Sequence, residues 1–281
     1  MARTPPANPF SVEAAGQLLD QLNSQVKRTR RSASVAAVHD LRVKIRRLTQ
    51  ALALFESFLP ANKAKKLRRR LKRIMTLAGR VRDCDITIKL LSKSNLASVA
   101  ALQLQCRDQR KDAAKTLVRS LGRWTEQDLG SKWRALIVAA SRNAPLEENA
   151  GRALRSTARD FAARAAEAAR AASPEELHRF RIATKKFRYT LELFPPGYGP
   201  HHGACLEQVK AIQGRLGRIN DFETARRLLS GLKRGKKVAA QLKKKEKEGI
   251  ADFLHHWTAE IARHWSQAAL ATLPAPSVPV G

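Results

Sequence analysis

Two ten-residue stretches carry histidine and clustered cations at helical spacing. They are Val38-His39-Asp40-Leu41-Arg42-Val43-Lys44-Ile45-Arg46-Arg47 and Leu177-His178-Arg179-Phe180-Arg181-Ile182-Ala183-Thr184-Lys185-Lys186. His39, Arg42 and Arg46 stand at i, i+3 and i+7, so on a helix they stack about one turn, roughly 5 Å, apart. His178, Arg181 and Lys185 repeat that stripe, with Arg47 and Lys186 beside the two. Such a row can follow a linear chain of phosphates, with Arg offering fixed N–H forks to phosphate oxygens and Lys a mobile point charge. A basic helix face is ordinarily just solvated. A solvated face, however, has no need to keep one order of His, Arg and Arg/Lys twice.

Other chemistries find less support. Around His39 the i+3 and i+4 places hold Arg42 and Val43. Glu175 precedes His178 by three, but the matching place before His39 is Ala36. A metal would need ligands from both halves amid repelling cations, so neither a metal nor another cofactor is expected. Cys84, Cys106 and Cys205 are odd in number and far apart, with no CxxC pair, which fits a reducing compartment. There is no P-loop, Gly-rich phosphate loop or nucleophile–base arrangement, so a non-enzymatic protein is expected.

The elements that position the stripes are helical throughout. In the first copy Val38, Leu41, Ile45, Leu48, Leu52 and Phe55 form one apolar stripe. In the second, Leu177, Phe180, Thr184, Phe187, Leu191 and Phe194 do the same, which leaves each cation row at the rim of a core-facing surface. The match runs at an offset of 139 residues and resumes at 138 after the next turn. There Gly79-Arg80-Val81-Arg82-Asp83 meets Gly217-Arg218-Ile219-Asn220-Asp221, and Lys89-Leu90-Leu91-Ser92 meets Arg227-Leu228-Leu229-Ser230. The chain reads as an all-α tandem of two helical units, about 10–143 and 145–265, with flexible termini at 1–9 and 266–281.

Helices are expected over about Ser11–Arg30 (capped by Ser11), Ser34–Leu59, Asn62–Gly79, Asp83–Lys93 and Leu96–Leu121, with a short one after a break at Gly130. In the second half they are expected over Glu147–Ala172, Glu175–Phe194, Gly203–Gly217, Asp221–Leu232 and Lys236–Trp265. Gly79 and Gly217 read as helix C-caps, and Asp83 and Asp221 as the N-caps of new helices rather than catalytic carboxylates. Arg80 and Arg218 at these turns either reach a ligand or pair with a nearby acid. On the third helix Leu67, Leu71, Ile74 and Ala78 face inward, while Lys65, Arg68, Arg69, Arg70, Lys72 and Arg73 make a basic outer face. Lys72 and Lys210 are its candidates for ligand contact, because they alone persist in both copies.

Charge points the same way. The 281 residues hold 54 Lys plus Arg against 24 Asp plus Glu, a formal net charge of +30. With a pI of about 11.2, and with basic residues recurring from Lys27 to Arg263, an anionic polymer is the expected partner. Hydrophobic residues at 43% argue against disorder, and aromatics at 5% against stacking of single-stranded bases. No signal peptide or spanning segment is evident, so a cytoplasmic protein with no membrane contact is expected; the oligomeric state stays open.

The strings VHDLRVKIRRL…LALF and LHRFRIATKKFRYTLELF, followed by LAGRVRDCD and RLGRINDFE, resemble the CHAD family, the conserved-histidine α-helical domain. The resemblance covers about Pro9 to Trp265. It implies two four-helix bundles related by a pseudo-twofold axis, a basic surface or channel binding inorganic polyphosphate, and recruitment to polyphosphate granules. Carried over by position, the ligand-contacting residues are His39, Arg42, Arg46, Arg47, His178, Arg181, Lys185 and Lys186, with Lys72 and Lys210 matching more loosely. The ExExK strand of triphosphate-tunnel fusions has no match here; Glu246-Lys-Glu248-Gly-Ile lacks the final Lys. Arg179, Thr184 and Ala183 replace Asp40, Ile45 and Lys44 in the second copy, so the two halves are not equal. The rivals are a nucleic-acid-binding protein, which the charge alone equally supports, and a metal-dependent phosphohydrolase.

Overall fold

A computed structural model describes residues 12–53, 60–94, 99–141, 146–171, 173–194 and 202–264. Among them there are nine helices and no strand: α1 (Val12–Arg31), α2 (Val35–Leu52), α3 (Ala61–Leu91), α4 (Val99–Glu126), α5 (Leu129–Ser141), α6 (Leu146–Ala171), α7 (Pro174–Leu191), α8 (His202–Ser230) and α9 (Lys236–His264). The all-helical class follows the three-and-four apolar spacing. The expected cap at Ser11, the stretch Ala53–Leu59 beyond its first residue, and the two termini lie outside the described residues.

The helices that carry the stripes start at equivalent serines. Ser34 Oγ accepts from the Ala37 N–H at 3.2 Å, and Ser173 Oγ from the Glu176 N–H at 3.2 Å. Pro174 then occupies the first turn of α7, and Glu175 and Glu176 sit favourably at the positive end of its dipole. These caps fix where each helix begins and therefore which residues face the core. Val38, Leu41, Ile45, Leu48 and Leu52 are buried, as are Leu177, Phe180, Thr184, Phe187, Leu191 and Phe194.

Three expected breaks do not occur. The segments Asn62–Gly79 and Asp83–Lys93 are one helix, α3, and Gly203–Gly217 and Asp221–Leu232 are one helix, α8. Gly79 and Gly217 are therefore not C-caps, nor are Asp83 and Asp221 N-caps. A glycine inside a helix costs about 1 kcal/mol relative to Ala, which tertiary packing along a helix of this length overrides. Similarly α4 runs through Gly122. The turn after it falls at Asp128, whose φ of 45° is left-handed, rather than at Gly130. Aspartate tolerates that region, and Asp128 Oδ1 accepts from Ser131 Oγ at 2.9 Å, tying the turn to the first residues of α5.

In the first half α1 packs on α2, α2 on α3, α3 on α4 and α4 on α1, with α5 against α1 and α4. In the second, α6, α7, α8 and α9 close a ring in the same order. The halves meet through repeat-equivalent helices, α2 on α7 and α3 on α8. One buried apolar cluster runs through both, from Leu19 and Leu41 to Phe180 and Trp257. A smaller one forms where the C-terminal ends of α3 and α8 meet the N-terminal ends of α4 and α9, around Leu91, Cys106, Leu229 and Leu242. This shared core places the two cation stripes, on α2 and α7, side by side.

Candidate functional site

The junction of α2, α3, α7 and α8 gathers the charges. Arg42 reaches from α2 to α3, where its Nη1 donates to the Met75 carbonyl at 3.2 Å. A Cβ on Gly79 would stand 3.1 Å from that Nη1, so the glycine lets the guanidinium lie close over α3. One helical turn further, Arg46 Nη1 donates to the Tyr189 hydroxyl on α7 at 3.3 Å. Gln50 completes the contact by donating to Thr190 Oγ1 at 2.9 Å.

Electrostatics show how tightly the cations are grouped. Burial pushes the Arg42 guanidinium down to about 10, with Arg46 and Arg82 adding to the shift against Asp83. Arg181 is lowered by burial and by Arg46, against Asp221 and Glu223. Lys185 is driven down to about 6, by burial first and then by Arg181, Arg46 and Arg42, against Asp221. On the rim His39 is exposed, and its imidazole is lowered by partial burial, then by Arg82, Arg46 and Arg42 against Asp40. Near neutral pH Arg42 is therefore charged and Lys185 largely neutral.

Two carboxylates stand inside this group. Burial raises Asp83 against the pull of Arg42, Arg227, Arg181 and Arg82, and raises Asp221 against Arg82, Arg181, Lys185 and Lys89. The pairing crosses the junction: Asp83 on α3 feels Arg227 on α8, while Asp221 on α8 feels Lys89 on α3. Cations still outnumber these aspartates. Arg181 Nε is buried with no hydrogen-bond partner among the described residues. A desolvated, under-neutralised guanidinium group is a site that an anion relieves.

Arg181 belongs as well to a cleft of about 670 Å³ between α7, α8 and α9, lined also by His178, Arg227, Lys243 and Lys247. Within it Arg226 Nε pairs with the buried Glu246 at 3.2 Å. The second half thus extends the cation surface outward from the junction.

The structure brings His39, Arg42, Arg46, Arg181 and Lys185 together and places His178 in the adjoining cleft. Lys72, Arg80, Lys186 and Arg218 are exposed on α3, α7 and α8. Arg47 and Lys210 lie elsewhere. Arg47 Nε pairs with Glu192 Oε2 at 3.2 Å, and Glu192 Oε1 also accepts from Arg188 at 2.9 Å. Lys210 Nζ pairs with Glu207 at 2.7 Å. The two line a separate cleft of about 490 Å³ with Leu18 and His202. Arg47 sits one residue past Arg46, about 100° round the helix, and so turns from the stripe to the next interface.

Sequence reasoning missed Arg82, Tyr189, Lys89, Arg227 and the true position of Asp83 and Asp221. Lys89 and Arg227 match in the repeat, as do the aspartates, so that signal was present. Arg82 and Tyr189 face Asn220 and Gln50 in the other copy, and no repetition marks them. Among the described residues no group of three or more His, Cys, Asp or Glu could hold a metal ion, and no helix is long and apolar enough to cross a membrane.

Comparison places this arrangement. The structure is similar to the crystal structure of the CHAD domain from the plant Ricinus communis, with a TM-score of 0.69 at 24% identity over 94% of this chain and 92% of that one. It is similar also to PptA from Streptomyces chartreusis, with a TM-score of 0.53 at 18% identity over 92% of this chain and 99% of that one. At these identities the likeness speaks for the fold alone. No curated protein matches the sequence. The CHAD domain model matches residues 13–230, a span that includes both stripes and the junction between them, and the chain belongs to the CHAD domain family.

Proposed function

We propose that the protein binds inorganic polyphosphate without turning it over, through the junction of α2, α3, α7 and α8, and that this binding carries it to polyphosphate granules in the cytoplasm. The reading rests on one observation: Arg42 and Arg46 from one copy meet Arg181 and Lys185 from the other, in a site where burial and the neighbouring cations together discharge the lysine. A flexible chain of phosphates supplies closely spaced negative charge that such a group lacks. Affinity then comes from neutralising phosphates and releasing their counterions, and falls steeply with salt, by extension of the behaviour of nucleic acids. Guanidinium groups supply directed hydrogen bonds to phosphoryl oxygens, and Lys185 becomes charged as the ligand arrives.

The test compares the native chain with Arg42→Gln/Arg46→Gln/Arg181→Gln/Lys185→Gln for binding of long-chain polyphosphate. A loss of at least about a hundredfold is expected, several phosphate contacts being removed together. A loss no greater than that caused by removing four exposed cations, Arg107, Lys111, Lys115 and Arg119 on α4, contradicts it. Phosphate release with and without divalent metal is followed in the same samples. Sustained release that the junction variant abolishes would make the protein an enzyme instead.

A further inference from the structure

A cleft of about 300 Å³ between α3 and α4 is lined by Arg69, Arg70, Arg73 and Arg123 over a floor that includes Ile74 and Trp124. We propose that it is a second phosphate-chain site, which makes the protein divalent and able to bridge two chains. The proposal rests on the reading of the junction as a polyphosphate site.

The cleft is separate from the junction. Arg73 precedes Gly79 by six residues, about 240° of helical rotation, so it leaves α3 on a different side from the surface that Arg42 covers. Among the described residues no carboxylate lines the cleft. The nearest acids in sequence are turned elsewhere: Glu126 Oε1 packs against Gly122, and Asp128 Oδ1 accepts from Ser131. Arg70 is held in place by a neutral partner, its Nη1 donating to Gln127 Oε1 at 3.1 Å. The guanidinium is positioned while its charge stays uncancelled. Beneath it Trp124 is 3% exposed, and a low-dielectric floor strengthens the field above it.

The repeat does not produce this feature. At the offset of 138, Arg69, Arg70 and Arg73 correspond to Glu207, Gln208 and Ala211. Arg69 and Arg73 stand at i and i+4, a like-charge pair that weakens a helix. A local arrangement that disfavours the helix, absent from the other copy, points to an occupant. Guanidinium forks on both walls of a narrow cleft suit a thin linear phosphate chain, bound two oxygens at a time, better than a duplex.

Bridging is the consequence. With sites on two faces, one protein joins two chains and one chain joins several proteins, so mixtures condense near charge balance and redissolve when polyphosphate is in excess.

Calorimetry of the full chain with tripolyphosphate, and light scattering with long-chain polyphosphate, test this. The native protein is expected to bind tripolyphosphate at two sites and Arg70→Gln/Arg73→Gln/Arg123→Gln at one, with scattering reduced about tenfold or more. The charge-matched Arg107→Gln/Lys111→Gln/Lys115→Gln keeps two sites. A single native site, two sites left in the cleft variant, or an equal loss in the charge-matched control overturns the proposal. So does duplex DNA displacing tripolyphosphate from the cleft at matched phosphate, which would assign it to nucleic acid. If the junction variant loses all binding, the cleft fails and the junction reading stands. If it keeps both sites, the junction reading fails and any site lost in the cleft variant is still the cleft's own.

Discussion

Arg46 and Lys185 are equivalent residues of the two repeat copies, and they repel one another across the contact of α2 with α7. Burial first, then Arg181, Arg46 and Arg42, take Lys185 from 10.5 down to about 6. A phosphate chain in the site opposes the part of the shift owed to the arginines, because its charge offsets theirs and favours the ammonium form. Binding near neutrality therefore takes up a proton, and affinity rises as pH falls toward about 6. Calorimetry in buffers of different ionisation enthalpy measures the uptake. Lys185→Met is expected to abolish most of it, whereas His39→Ala/His178→Ala leaves most of it. If the histidine pair removes the uptake instead, the histidines are the titrating groups.

The same lysine burdens the free protein. Its folded pKa lies below its unfolded value, so between about 6 and 10.5 the unfolded chain holds more protons and stability rises with pH. As pH falls through that window this stability is lost. Lys185→Met removes the titration and keeps the side-chain volume. The ligand-free variant is expected to gain on the order of 1 kcal/mol or more near neutrality, one unit of depressed pKa corresponding to about 1.4 kcal/mol, while binding polyphosphate more weakly. Denaturant titrations at two pH values check it, and the gain should be larger at the lower pH. A variant less stable than the native protein at both contradicts the assignment.

Gly79 and Gly217 separate packing from helix propensity. Nothing lies within 4 Å of a Cβ placed on Gly217, whereas one on Gly79 meets Arg42 Nη1 at 3.1 Å. Gly217→Ala is expected to stabilise by about 1 kcal/mol and leave binding unchanged. Gly79→Ala gains less, because Arg42 must give way, and it weakens binding. Equal stabilisation with unchanged affinity in both would show that Arg42 does not depend on that approach.

Asp85 anchors the first half. Its side chain is 2% exposed and pairs with Arg110 at 2.5 Å; Arg110 also donates to the Ala33 carbonyl at 2.9 Å, tying α4 to the approach to α2. Arg110→Met strands that carboxylate and is expected to cost about 3–5 kcal/mol. Arg110→Met/Asp85→Leu should recover much of the loss. A denaturant series on the three proteins gives the answer, and an Arg110→Met cost below about 1 kcal/mol would show the pair to be no better than a surface one.

Helical class and stripe positions were legible because both follow from periodicity, and apolar spacing in α2 and α7 alone forces His39, Arg42, Arg46 and their counterparts to one rim. Repetition marked the helices that meet at the junction, α2 with α7 and α3 with α8. What it could not supply was the contact between copies: that α2 meets α7 depends on tertiary packing, and only this contact puts Arg46 beside Lys185 or turns Arg47 to Glu192. Local rules misread Gly79 and Asp83. A glycine followed by an aspartate four residues on looks like the end of one helix and the start of another, but here the glycine makes room for Arg42 and the aspartate answers the cations. The basic outer face of α3 carries no sign in the sequence of the cleft that forms where α4 folds Arg123 against it.

The most direct test of a specific phosphate-chain site is a salt titration of binding to long-chain polyphosphate, with duplex DNA as competitor at matched phosphate concentration. Polyphosphate should win at near-physiological salt. The Arg42→Gln/Arg46→Gln/Arg181→Gln/Lys185→Gln variant should lose most of that preference, with the salt slope reduced by about 0.7–0.9 for each phosphate contact removed. Equal competition by DNA, with those substitutions behaving like any other removal of charge, would show that the net charge of +30 explains the binding and the junction does not.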